Sequence, residues 1–196
     1  TPIYTNMSPV MSKFLWNAPE EQADPEKAKQ ILEEKKLLPM EFTLKVPNSS
    51  KFYLDTAQSI REQLKDIGIT VNLEMIEWAT WLSDVYTNKK YVASLAGLSG
   101  KMEPDAILRR YTSTYPKNFT NFNNARYDVL VEEAKRTSNE EKQIENYKEA
   151  QKILSEEQAA IFLMDPNIII ATEKGIEGFE FYPLPYLNFA KLYFKK

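Results

Sequence analysis

Residues 41–78 read EFTLKVPNSSKFYLDTAQSIREQLKDIGITVNLEMIEW, and their pattern decides the fold. Apolar and polar side chains alternate over residues 42–46, which predicts a strand. Apolar residues then recur at spacings of three and four from Leu54 to Ile67, which predicts a helix that Gly68 ends. A second alternating segment, residues 69–76, predicts another strand. Because a strand–helix–strand order favours a right-handed crossover, we expect the two strands to be parallel.

The flanking sequence extends the same pattern. Asp24 and Pro25 predict the start of an earlier helix, since one caps free N–H groups and the other suits the first helical position. Helices are further predicted at residues 78–86, 104–108, 126–136 and 139–157, and strands at Tyr91–Ala96, Ile161–Leu163, Ile168–Ala171, Gly178–Phe181 and Phe189–Phe194. This order predicts an α/β fold with a mixed, mainly parallel sheet flanked by helices and a β-rich C-terminal segment.

The composition excludes several kinds of chemistry. The chain has 196 residues, of which 25 are basic and 28 acidic, a formal net charge of −3, and neither cysteine nor histidine. Disulfides, thiolate nucleophiles, Cys/His zinc sites and histidine-based catalytic triads are therefore excluded. The basic residues occur in scattered pairs and the net charge is negative, which argues against a nucleic-acid partner. All apolar runs are far shorter than the about 20 residues of a membrane span.

The end of the third predicted strand is the first candidate site. In parallel α/β sheets, ligands bind beyond the carboxyl ends of the strands. Here that place is the loop Gly97, Leu98, Ser99, Gly100 and Lys101, which contains two of the five glycines. Glycine allows a ligand to approach the backbone closely. The alternative interpretation is a loop whose glycines supply unusual backbone dihedrals.

Four motifs in a fixed order suggest a family. Residues 24–32 resemble the helix pattern D-P-x-K-A-K-x-L-L, and residues 60–71 match the pattern I-x-x-x-L-x-x-I-G-I-x-V. Residues 121–130 form an Asn-rich segment that leads into Y-D-x-L. Residues 147–154 match the helix pattern Y-x-x-A-Q-x-I-L. In this order and spacing the chain resembles the C-terminal lobe of the family 5 extracellular solute-binding proteins. These are the peptide-binding subunits of bacterial ABC importers.

The resemblance implies a fold, a function and partners. The fold would be the second lobe of a type II periplasmic-binding-protein-like structure. Residues 1–23 would be a hinge-proximal connector, residues 24–177 the ligand-binding lobe, and residues 178–196 a segment that returns toward the missing first lobe. The protein would capture an extended peptide between its two lobes and deliver it to the permease subunits of the importer. It would be extracytoplasmic, in the periplasm or lipid-anchored at the outer face of the membrane, with no enzymatic activity, cofactor or metal.

The candidate loop departs from the family pattern. In the peptide-binding members, an acidic residue of this loop meets the amino terminus of the peptide. Here no aspartate precedes Met102, because Gly100 or Lys101 takes its place, and Leu98 stands where tryptophan is common. Lys101 offers a positive charge to a ligand carboxylate. Its alternative role is that of an ordinary solvated lysine.

Six further side chains are candidates for ligand contact: Trp78, Trp81, Lys51, Tyr53, Arg109 and Asn121. The tryptophans, one helical turn apart, form either an aromatic wall or part of the packing on the sheet, and packing is favoured. Arg109, with Arg110, either binds a carboxylate or ends a helix in solvent. Lys51 and Tyr53 follow the end of the first strand. Asn121 bonds either a ligand or a turn of its own backbone.

Three other functions stay open. The missing acidic residue and the aromatic content agree with an oligosaccharide or another small solute in the same architecture. A carboxylate-pair glycosidase is a further alternative, but the sequence shows no placed pair, and Glu103 and Asp105 are interpreted as acids at a helix N-terminus. A ligand-sensing domain of a DNA-binding regulator uses a similar lobe. The family pattern favours peptide capture.

Overall fold

A computed structural model of the chain describes residues 1–19, 23–167, 169–182 and 188–195. Its helices are α1 (Pro25–Glu34), α2 (Lys51–Asp66), α3 (Trp78–Thr80, continued by the π-helical turn Trp81–Thr87), α4 (Pro104–Leu108), α5 (Ala125–Arg136) and α6 (Glu140–Glu156). Its strands are β1 (Met40–Pro47), β2 (Ile69–Ile76), β3 (Ala93–Ser94), β4 (Ile176–Glu177) and β5 (Tyr193–Phe194). Among the described residues, no helix combines the length and the apolar character needed to cross a bilayer.

The main sheet has the order β2-β1-β3, and the predicted parallel pairing of its strands is confirmed. All of its pairs are parallel, so it is not the mixed sheet that was predicted; the antiparallel pair of β4 and β5 forms a separate sheet. Strand β1 pairs along its whole length with β2, from Met40 opposite Ile69 to Pro47 opposite Ile76. The pairing of β1 with β3 is much shorter, with Leu44 opposite Ala93 as one of its two positions. Strand β3 is thus shorter than the predicted Tyr91–Ala96, and it lies at an edge of the sheet.

Side-chain caps define the ends of the helices, as predicted. The Asp24 carboxylate accepts a hydrogen bond from the Lys27 N–H at 2.9 Å at the start of α1, and Asn139 accepts one from the Lys142 N–H at 3.0 Å at the start of α6. Gly68 follows α2 with a φ of +89°, a left-handed conformation that suits glycine. The turn into β2 is therefore encoded locally in the sequence.

Two apolar clusters pack around the sheet. Residues of β1, α2 and β2 form the first, with Leu44, Val46, Ala57, Ile69 and Val71 buried. Ile76, Trp81 and Val85 form the second, which lies beyond the end of β2. The second cluster therefore packs at the carboxyl end of β2, of which Ile76 is the last residue.

The chain divides into two compact units. One comprises residues 19–99 and 109–129 and contains the main sheet. The other comprises residues 1–18, 100–108 and 130–196 and contains α6. In this second unit, the buried Gln151 side chain bonds the N-terminal segment: it accepts from Thr5 at 3.1 Å and donates to the Phe14 carbonyl at 2.8 Å. The division into connector, lobe and return segment at residues 23 and 177 stays a prediction.

The C-terminal segment is less regular than predicted. Its two-residue strands β4 and β5 pair antiparallel. No strand forms at Ile161–Leu163 or Gly178–Phe181, and Phe189–Phe194 is a short 3-10 turn followed by β5. Of the predicted strand Ile168–Ala171, Ile168 lies outside the described residues and the rest is irregular. A short apolar run forms a strand only when another strand pairs with its backbone. The run Ile161–Leu163 meets only an isolated bridge, between Pro2 and Met164, and a bond from the Ile3 N–H to the Leu163 carbonyl. Among the described residues, no strand pairs with Gly178–Phe181.

Candidate functional site

The segment Gly97–Ser99 continues β3 past the carboxyl edge of the sheet and is exposed. The N–H of Gly97 donates a hydrogen bond to the Tyr53 hydroxyl at 3.1 Å. The Arg110 guanidinium donates one to the carbonyl of Ser99, also at 3.1 Å. Among the described residues, no partner bonds the carbonyl of Gly97, the N–H of Ser99 or either backbone group of Leu98. The segment is therefore an open backbone edge.

The glycines of the predicted loop do not supply unusual dihedrals. Neither Gly97 nor Gly100 has a positive φ, so that interpretation of the loop is wrong. Gly100 and Lys101 belong to the second compact unit and are both exposed. Lys101 forms no ion pair with any described residue, which leaves its charge available to solvent or to a ligand.

The two tryptophans differ in their surroundings. Trp81 is 1% exposed, and its indole N–H donates to the Ser94 hydroxyl at 2.9 Å. That hydroxyl in turn donates to the Lys45 carbonyl at 2.8 Å, so Trp81 is tied to both β3 and β1. Trp78 is 42% exposed and stacks on Trp81, with ring centroids 4.9 Å apart and planes 3° from parallel. Trp81 thus packs in the core, whereas Trp78 presents an aromatic surface to solvent.

Two aromatic neighbours hold this stack, Tyr86 from the π-helical turn itself and Phe119 from the loop that precedes α5. Phe119 meets Trp81 edge-on, with centroids 5.7 Å apart, and Tyr86 lies 6.0 Å from the same ring. Tyr91 donates its hydroxyl to the Phe119 carbonyl at 2.5 Å, and burial raises the pKa of Tyr91, which keeps this donor protonated. The backbone of Phe119 is thereby fixed beside the π-helical turn.

The two adjacent arginines have separate roles. Arg110 bonds Ser99, as described above. Arg109 is exposed and lies over the ring of Tyr115, 5.8 Å from its centroid. Burial raises the pKa of the next residue, Tyr111, to about 12, against a smaller opposing effect of the Arg110 charge. Tyr111 therefore stays neutral and anchors this turn in the core.

The remaining candidates are exposed. Lys51 pairs with Asp55 one turn along α2, at 2.6 Å. Asn121 has a φ of +59°, which agrees with its interpretation as a turn residue. No group of three or more acidic side chains within the described residues is arranged to hold a metal ion. The fold thus brings together Tyr53 with Gly97, Trp78 with Trp81, and Arg110 with Ser99.

Sequence reasoning missed three participants: Ser94, Phe119 and the backbone role of Arg110. Their partners lie 13, 38 and 11 residues away in the chain (for Phe119, 119 − 81 = 38), beyond any local pattern. The pair Arg109-Arg110 was visible as a charge pair, but nothing in the sequence distinguishes its two members.

A family model fits residues 1–119, and its description is bacterial extracellular solute-binding proteins, family 5 Middle. The chain belongs to this family. Within family 5, the oligopeptide-binding protein AppA of Bacillus subtilis is 30% identical over 145 residues, which cover 72% of this chain and 27% of AppA. A dipeptide-binding protein of Pseudomonas aeruginosa is 28% identical over 169 residues, covering 82% of this chain and 32% of that protein. The chain therefore spans about a third of the length of these family 5 relatives.

Solved structures of family 5 proteins agree with the fold. Bacillus subtilis AppA in complex with a nonapeptide superposes with a TM-score of 0.84 at 27% identity, over 100% of this chain and 43% of AppA. A putative peptide-binding protein AppA from Clostridium difficile gives 0.88 at 21% identity, over 100% of this chain and 42% of that one. The predicted type II periplasmic-binding-protein-like α/β fold is thus confirmed.

Proposed function

We propose that this chain is the second lobe of a peptide-binding subunit of an ABC importer, and that an extended peptide pairs with the backbone of Gly97–Ser99. The observation that carries the proposal is the open edge itself. No described residue bonds the N–H or the C=O of Leu98, which lies four residues beyond the end of the edge strand β3. An extended peptide satisfies such groups by adding a strand, whatever its side chains are.

The aromatic surface beside the sheet supports an apolar side-chain subsite. Trp78 follows the end of β2, and Gly97–Ser99 follows the end of β3, so both lie at the carboxyl ends of parallel strands. The stack on Trp81 holds the Trp78 ring in one orientation at little entropic cost. Backbone pairing would provide affinity for any peptide, and Trp78 would favour apolar or aromatic side chains.

We propose the rest of the protein from its family, whose relatives named above are about three times as long as this chain. Residues 1–23 would lead from a first lobe, residues 24–177 would form the ligand-binding lobe, and residues 178–196 would return to the first lobe. Phe189 and Phe194 are 70% and 68% exposed, which favours coverage of this return segment by another part of the protein. The protein would work outside the cytoplasm with the permease subunits of the importer, as a binding protein without catalysis.

Isothermal titration calorimetry of the full-length protein tests the proposal. Pools of unmodified peptides two to ten residues long should release or absorb heat. The matched control is a pool of the same peptides with N-methylated alternate backbone amides, which should bind at least tenfold more weakly because ladder bonds are lost. Absence of binding by every unmodified pool would contradict peptide capture. Equal binding by both pools would contradict backbone pairing.

An oligosaccharide cargo is the second candidate, because Trp78 offers a flat, exposed ring and the acidic residue expected in the loop is absent. Sugar rings stack on such surfaces. Mass spectrometry of the ligand that co-purifies with the full-length protein distinguishes the two cargoes. Peptides alone would support the first proposal, and oligosaccharides alone would support the second.

A further inference from the structure

We infer that Tyr53 and Arg110 are positioning residues that fix the backbone of Gly97–Ser99 in the form that accepts a peptide strand. The inference rests on the proposed function and extends it to two side chains that act through the backbone without touching the ligand. Both side chains bond the segment Gly97–Ser99 on the side away from the proposed peptide.

The Tyr53 hydroxyl is held in place by its ring. Tyr53 lies in the first turn of α2 and packs against the cluster that contains Leu44 and Val71. Its ring meets that of Phe52 edge-on, with centroids 5.9 Å apart. Because the Tyr53 ring packs against this cluster and against Phe52, its hydroxyl is held in one position, where it accepts the Gly97 N–H.

This contact explains the glycine at position 97. Gly97 needs no left-handed conformation, so its backbone dihedrals suit other residues. A Cβ at this position would lie 2.8 Å from the Tyr53 hydroxyl oxygen and 3.7 Å from the ring carbon that bears it. The hydroxyl alone therefore creates the conflict. A side chain at position 97 is therefore incompatible with the tyrosine hydroxyl at position 53.

Arg110 fixes the other end of the edge. It precedes the buried Tyr111 in a short 3-10 turn, so its backbone is anchored, and its guanidinium reaches the Ser99 carbonyl. The two side chains thus bond groups of residues 97 and 99. In an extended chain, groups two residues apart face the same side and those of the residue between face the opposite side. The N–H and C=O of Leu98 are thereby turned toward an incoming peptide.

The first experiment replaces Tyr53 by phenylalanine in the full-length protein, which removes only the hydroxyl. We expect peptide affinity to fall about fivefold, the loss of one neutral hydrogen bond. Hydrogen–deuterium exchange of the Gly97 amide in the unliganded protein should rise by a similar factor, with an unchanged melting temperature. Tyr4→Phe is the matched control, because Tyr4 is half-buried and its hydroxyl bonds no described residue.

The second experiment tests the link between the two residues. Gly97→Ala alone should weaken peptide binding more than tenfold, because its Cβ displaces the Tyr53 hydroxyl. In the Tyr53→Phe background the same change should have little further effect, so that the double variant binds like Tyr53→Phe. A purely structural role of either residue gives additive losses. Additivity would overturn the inference.

A third pair of variants tests Arg110. Arg110→Met should lose about tenfold in affinity, since a charged donor is removed from a carbonyl, whereas Arg110→Lys keeps a donor and should recover most of it. Equal loss in both would count against positioning through Ser99.

The outcomes separate the two proposals. If the wild-type protein binds peptides but Tyr53→Phe changes neither affinity nor Gly97 exchange, positioning is refuted and peptide capture stands. If the wild-type protein binds no peptide, the proposed function fails. In that case faster Gly97 exchange in Tyr53→Phe still supports the contact, and unchanged exchange refutes it.

Discussion

Two irregular segments of this chain are held by side chains from distant parts of the sequence, but to different degrees. The N-terminal segment around Thr5–Trp16 is bonded by Gln151, which is 0% exposed and uses both atoms of its amide. The edge Gly97–Ser99 is exposed, and the described part of the chain bonds it only at Gly97 and Ser99. Bonds to a buried side chain such as Gln151 contribute to stability, whereas backbone groups that stay exposed and unbonded keep hydrogen-bonding capacity for a ligand.

The largest expected effect is a loss of stability when the N-terminal segment loses its bonds to Gln151. Gln151→Leu removes the side-chain partner of the Trp16 N–H and of the Phe14 carbonyl, and one of the two acceptors that the Thr5 hydroxyl has. Unfolding free energy should fall by about 3 kcal/mol, because several buried polar groups lose hydrogen bonds at once. Urea denaturation measures this. Gln63→Leu, on the exposed face of α2, is the control and should change stability by less than about 0.5 kcal/mol. Equal losses would contradict the role of Gln151.

A smaller effect is expected at the strand that leads into the edge. Ser94→Ala removes the acceptor of the Trp81 indole N–H and the donor to the Lys45 carbonyl. We expect a loss of about 1.5 kcal/mol in unfolding free energy, since the buried Trp81 N–H is left unpaired. The control is Ser59→Ala on the exposed side of α2. An unchanged urea midpoint for Ser94→Ala would show that the two hydrogen bonds of the Ser94 hydroxyl do not contribute to stability.

A substitution in the segment Gly97–Ser99 should lower the affinity for peptide without lowering the stability of the protein. Leu98→Pro removes one exposed N–H, which no described residue accepts. Peptide affinity should fall about fivefold, or about 1 kcal/mol, through the loss of one pairing bond. Leu98→Ala keeps the N–H and controls for the side chain. A loss of stability in Leu98→Pro comparable to that of Ser94→Ala would contradict the distinction between the two segments.

The smallest effect is expected at an exposed ion pair. Lys51→Met breaks the contact with Asp55, and both side chains are largely exposed. The stability change should stay below about 0.5 kcal/mol at moderate salt. Peptide titration of the same variant tests the prediction that Lys51 contacts the ligand, since affinity then falls while stability does not.

Much of the fold was predictable because its signals are local. The alternation in β1 and β2, the spacing of three and four in α2, and the left-handed Gly68 all act within a few residues. The strands predicted at Ile161–Leu163 and Gly178–Phe181 were wrong because a short apolar run does not contain its own pairing partner. Local sequence patterns therefore predicted the parallel sheet correctly. They failed for segments in which strand formation depends on pairing with a distant segment.

The candidate site was predictable only in its position. The strand-end rule led to Gly97, but the contact of its N–H with the Tyr53 hydroxyl, 44 residues earlier in the chain, had no signal in the sequence. Trp78 and Trp81 look alike in the sequence, yet one is exposed and the other is buried. No local signal distinguishes them, because burial depends on what packs against each ring.

The sequence by itself determined the α/β order, the helix caps, the absence of histidine and cysteine chemistry, and the family. Only the tertiary structure decided which backbone groups stay open at Gly97–Ser99 and which side chains hold them. The physical reason is the range of the interactions. Caps and periodicity involve neighbours in the chain, whereas Tyr53, Arg110 and Gln151 meet their partners 44, 11 and up to 146 residues away, after the chain has folded.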